Sequence, residues 1–72
     1  MRPTRALPVV GGPARIWHFS GEIEPVTIVE LREQGRCVVV ATLDGSRREF
    51  TLRRVSAMFI ERGQQHSPRL EF

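Results

Sequence analysis

Residues 36–55, R-C-V-V-V-A-T-L-D-G-S-R-R-E-F-T-L-R-R-V, decide the fold. Two alternating runs flank Asp44-Gly45, and a D-G pair between such runs is a strong local hairpin signal. With Asp44-Gly45 as a two-residue type I′ turn, Leu43 faces Ser46. Counting back then pairs Ala41 with Arg48, Val39 with Phe50 and Cys37 with Leu52. That register predicts one apolar face of Cys37, Val39, Ala41, Leu43, Phe50 and Leu52. The opposite face carries Arg36, Thr42, Arg47, Glu49, Thr51 and Arg53 around Val38 and Val40. A loop one residue longer, with Gly45 in a bulge, shifts the register and changes every partner.

Upstream, residues 22–31 (E-I-E-P-V-T-I-V-E-L) read as a bent or bulged strand. Ile23, Thr27, Val29 and Leu31 share one parity, whereas Val26 and Ile28 share the other. Pro25 cannot donate to a ladder and belongs on an edge or at a bulge. Residues 14–20 (A-R-I-W-H-F-S) form a first strand, with the bulky Trp17 and Phe19 placed inward. Residues 1–13, punctuated by Pro3, Pro8, Gly11, Gly12 and Pro13, read as a flexible arm. Downstream, residues 56–63 fit a short helix capped by Ser56 and ended by Gly63. A closing strand with Met58 and Ile60 on one face fits nearly as well, and a 3₁₀ turn leading into a strand satisfies both. Residues 64–72 read as a polar, fraying tail, its last three residues resembling the remnant of a cloning site.

The expectation is an all-β fold with four or five short strands, a small antiparallel barrel or rolled sheet over residues 14–63, and one helical turn near residues 56–62. Element order and size across residues 14–62 resemble an SH3-like barrel, the architecture of Tudor and KOW modules. The resemblance lies in pattern and carries no motif residue.

Seventy-two residues allow one domain, close to the lower limit for an adequate core. No apolar run approaches the ~20 residues that span a bilayer, and prolines interrupt any leader-like stretch at the N-terminus. A single cysteine excludes an internal disulfide. A cytoplasmic location is the resulting expectation. All eleven basic residues are arginine, with no Lys, Asn or Tyr. That usage suits bidentate contacts to phosphate or carboxylate, and it equally reflects the codon bias of a GC-rich genome.

Catalytic patterns are thin. Cys37 sits beside three valines and reads as a buried, inert thiol. His18 and His66 lie far apart with no ligand pair nearby, so neither metal nor cofactor is expected. Gly11-Gly12-Pro13 lacks the G-K-[ST] of a phosphate loop. The chain reads as a non-enzymatic binding module.

Charge is polarised: residues 36–55 hold five arginines against two acids, whereas residues 22–33 hold four glutamates against one arginine. Three readings follow. Arg36, Arg47, Arg53 and Arg54, with Arg48 at the rim and Trp17 as a stacking platform, would contact nucleic acid weakly and electrostatically. Alternatively, a sheet edge or the same hairpin face would serve protein recognition or self-assembly, including a homodimer. In the third, Arg47 and Arg53 pair with Glu49 and the acidic second strand, and the charges cancel locally.

Overall fold

A computed structural model describes residues 8–72. Most of the expected N-terminal arm, residues 1–7, lies outside the described residues. Six antiparallel strands, β1 Pro13–Trp17, β2 Ile23–Arg32, β3 Cys37–Ala41, β4 Arg47–Leu52, β5 Phe59–Glu61 and β6 Arg69–Glu71, run in meander order. They close into a barrel through pairing of β1 with β6, a small all-β architecture consistent with the SH3-like expectation. Among the described residues no helix is long and apolar enough to cross a membrane.

Alternation on a closed sheet gives an inside and an outside. Ala14 and Ile16 of β1, Val26 and Ile28 of β2, Val38 and Val40 of β3, Phe50 of β4 and Leu70 of β6 form the buried core. Leu31, Phe59 and Phe72 pack against it. β2 changes phase at a bulge between Ile28 and Glu30, which brings Leu31 to the core. Pro25 pairs with Arg15 in a non-hydrogen-bonded position, three ladder steps from the Ile28 N–H to Gly12 carbonyl bond. On its other side β3 has already ended at Ala41, opposite Thr27, so the missing donor leaves no gap in the ladder.

The hairpin takes the longer loop. Thr42 and Ser46 close it (Thr42 N–H to Ser46 carbonyl, 2.8 Å), leaving Leu43, Asp44 and Gly45 in the turn. Gly45 adopts φ 90°, but Asp44 is not among the residues of positive φ, so a type I′ turn is excluded. Instead the Asp44 carboxylate accepts from the Ser46 amide at 2.9 Å and from the Thr42 hydroxyl. Those hydrogen bonds, the Thr42 hydroxyl first, lower its pKa from 3.8 to about 2. The turn therefore keeps this support above pH 3.8 and loses it as pH falls towards 2.

The observed pairs are Val38 with Phe50, Val39 with Glu49, Val40 with Arg48 and Ala41 with Arg47. The expected apolar face is thus corrected by one residue on β3. Val38 and Val40 point inward, Cys37 and Val39 outward, and Leu43 is 86% exposed at the tip. The extra turn residue sets Val38 opposite Phe50 and leaves Val39 on the outer face opposite Glu49.

β1 is also corrected in phase. Ala14 and Ile16 face inward while Trp17 is half-buried outside and Phe19 is 94% exposed. A six-stranded interior already holding Phe50 accepts small and branched partners more readily than an indole. The helical turn expected near residues 56–62 is replaced by a turn at 54–56 leading into β5, and the 3₁₀ segment is Glu33–Gly35 instead. The supposed tail supplies β6, whose Leu70 is 5% exposed, so it is the sixth strand that closes the barrel.

Two substitutions separate the registers. Leu70→Ala should lower unfolding free energy by about 2–4 kcal/mol in urea titrations. Leu43→Ala, costly if Leu43 were in the core, should change it by less than about 0.5 kcal/mol.

Candidate binding groove and the arginines

A meander barrel has two unlike ends. The β1–β2, β3–β4 and β5–β6 links lie at one, and the β2–β3 and β4–β5 links lie with Phe72 at the other. At the first end the inward positions carry charge. Arg48 donates to both Glu61 oxygens at 2.7 and 2.6 Å and lies 3.9 Å from Glu24, which meets His18 Nε2 at 2.9 Å. These side chains are about one-fifth to one-quarter exposed. The Glu61 hydrogen bond raises the Arg48 pKa, and the guanidinium stays charged. A bidentate pair in this partly dry setting plugs the mouth with mutually satisfied groups.

Outside, a second lattice crosses β2, β3 and β4. Arg32 meets Glu30 at 2.7 Å and Glu49 at 3.3 Å, and Arg62 meets Glu49 at 2.5 Å. The Cys37 thiol donates to Glu49 at 3.1 Å beneath it, and Cys37 and Val39 are buried although they point outward. Across the ladder Cys37 pairs with Arg32, and Val39 with Glu30 and Glu49, so both lie among the members of this lattice. Burial and the Glu49 carboxylate push the Cys37 pKa from 9.0 up to about 11.

The arginines read as one basic face are therefore dispersed. Arg48 lies inside the polar mouth. Arg53 donates to the Gln64 carbonyl, with its Nε buried and unpartnered, and so ties the 62–68 link to β4. Arg36, Arg47 and Arg54 are exposed and form no ion pair among the described residues. Arg47 belongs to the polar end, opposite Ala41, whereas Arg36 and Arg54 flank the links at the other. Trp17 carries the Arg69 guanidinium 5.3 Å from its ring centroid, which occupies one face of the stacking platform.

Among the described residues the other end is open and apolar, with Pro8 part of its lining. A groove of about 960 Å³ lies between Leu31, Leu52, Met58, Phe59, Leu70 and Phe72. Phe59 and Phe72 meet edge to face, with centroids 5.2 Å apart, and fix one wall. Leu52 and Met58 remain 40% and 43% exposed. The rim is made by Gln34 and Gly35, at φ 60° and 86°, and by Ala57, at φ 58°. The charged residues on the wall are engaged, Arg69 over Trp17 and Glu71 with Arg15 at 2.7 Å. Such a groove offers exposed apolar contact surface.

None of these lining residues was singled out as a site from sequence. They come from five separate stretches, and the available signal was the alternation of Arg69, Leu70, Glu71 and Phe72, which reads as a strand with an aromatic end. Comparison with known proteins adds no identity: the chain matches no protein-family model, no curated protein and no solved structure.

Two measurements check the charged regions. Arg48→Met should cost about 1–3 kcal/mol in urea titrations by leaving Glu61 without its cation. Cys37 should react with Ellman's reagent at pH 8 at least roughly a hundredfold more slowly in the native protein than after unfolding. Because folding raises this pKa, the linked stability should be present at neutral pH and fall as pH rises from 9 towards 11.

Proposed function

We propose that the protein is a non-enzymatic recognition module that takes apolar side chains of a protein partner into the groove walled by Phe59 and Phe72. The supporting observation is the exposed apolar lining of Leu52 and Met58 on a rigid, closed scaffold. Closure of β1 on β6 removes the free strand that edge addition requires, so side-chain insertion replaces strand pairing as the mode of contact. Arg36 follows groove residue Gly35, and Arg54 lies between groove residues Leu52 and Ala57. These uncommitted cations favour a partner with carboxylates beside its apolar residue.

A second reading, weak phosphate binding, draws on Arg36, Arg47 and Arg54. Their separation over both ends supports few simultaneous contacts and hence a shallow salt dependence.

A fluorescence-anisotropy titration separates the two. A labelled peptide with one Phe flanked by Asp and Glu should bind at about 10–500 µM, and Met58→Glu should weaken it at least about tenfold. Oligonucleotide binding that falls steeply with salt, is lost on alanine substitution of the three arginines and survives Met58→Glu would replace this reading with the nucleic-acid one.

A further inference from the structure

The end opposite the groove carries the complementary shape. Its β1–β2 tip is a tight turn closed by His18 N–H to the Glu22 carbonyl and Gly21 N–H to the His18 carbonyl, both 2.9 Å. Phe19 stands on that turn 94% exposed, and Leu43 stands on the β3–β4 tip 86% exposed. A single exposed apolar side chain is ordinary. Here two occupy projecting turns at one end, while an apolar groove roomy enough for both side chains opens at the other.

Charge matches as well. Glu22 and Asp44 accompany Phe19 and Leu43, whereas Arg36 and Arg54 flank the groove. Arg47 near the tips and Glu33 near the groove each offset one charge, and among the groups outside ion pairs the tip end stays negative and the groove end positive. These are different surfaces of one molecule, so contact between copies is heterologous and repeats instead of closing on a two-fold axis.

We infer that the partner accepted by the groove is a second copy of this chain, whose Phe19 tip enters head to tail with Leu43 beside it. This rests on the groove being a binding site, as proposed above. Insertion of one or two side chains buries less than the ~1,200 Å² of a standard interface, so the association is weak and concentration-dependent.

Sedimentation velocity on the whole chain, up to about 1 mM, tests it. The wild type should show a weight-average mass that climbs with concentration past the dimer. Phe19→Ser with Leu43→Ser removes the tips, and Met58→Glu blocks the groove; each variant should sediment as a monomer. All three changes are at exposed side chains, so both proteins should fold. An equimolar mixture should form a one-to-one dimer and nothing larger, because the groove-blocked chain lends its tip to the tipless chain's open groove. A wild type that stays monomeric overturns the inference, as does self-association that either variant leaves intact or a mixture that remains monomeric. The Phe-containing acidic peptide then distinguishes the failures. If it still binds the wild type and is lost in Met58→Glu, the groove reading stands and only the second copy is wrong. If it too fails to bind, both fall.

Discussion

The hydrogen bonds that Asp44 makes across its own turn set the phase of the barrel. With Thr42 and Ser46 held to that carboxylate, the turn contains three residues, and β3 meets β4 with Val38 opposite Phe50. Every side chain on β3 takes its side from that choice, because strand side chains alternate with a period of two. Val38 and Val40 enter the core, Cys37 is placed over Glu49, and Arg48 is delivered to the polar mouth opposite Val40. A slip of one residue would exchange Val38 and Val40 for Cys37, Val39 and Ala41.

The two mouths follow from how little a six-stranded barrel can enclose. Its inward positions at one end are His18, Glu24, Arg48 and Glu61, groups that leave water at acceptable cost only when they satisfy one another. They do, and that end is closed. At the other end Leu31, Leu52, Phe59 and Phe72 meet with no polar plug across them among the described residues, and the short β5 and β6 reach no further to cover the opening. Exposed apolar surface on a chain this small works against solubility unless something uses it.

Strand content was legible from alternation and turn residues, and so was the break in β2, where Val26 and Ile28 disagree in parity with Leu31. Phase was not legible where both parities are apolar. Val38, Val39 and Val40 satisfy either face, and in I-W-H-F the larger pair Trp17 and Phe19 outweighed Ile16 on size alone. The decision belonged to the turn and to the narrow interior, neither of which periodicity reports. β6 was hidden because three strand residues follow a polar stretch, and their pairing with β1 depends on a partner more than fifty residues away. Of the arginines read on the hairpin, Arg47 and Arg53 keep the outer parity of β4 and Arg48 lies at the rim, whereas the shift on β3 takes Arg36 out of that face. The groove has no local signature, as its walls come from residues 31, 52, 58–59 and 70–72.

Closure also imposes an order in time. Pairings from β1 through β4 are between sequence neighbours, and each hairpin requires only a short loop to be ordered. Ile16 and Leu70 are 54 positions apart and cannot meet cheaply until those hairpins have shortened the effective path between them. The meander therefore has low contact order in all its steps but one. Until that last pairing forms, β1 and β6 are open edges, so exposure to edge-to-edge aggregation is concentrated in the interval before the ring is complete.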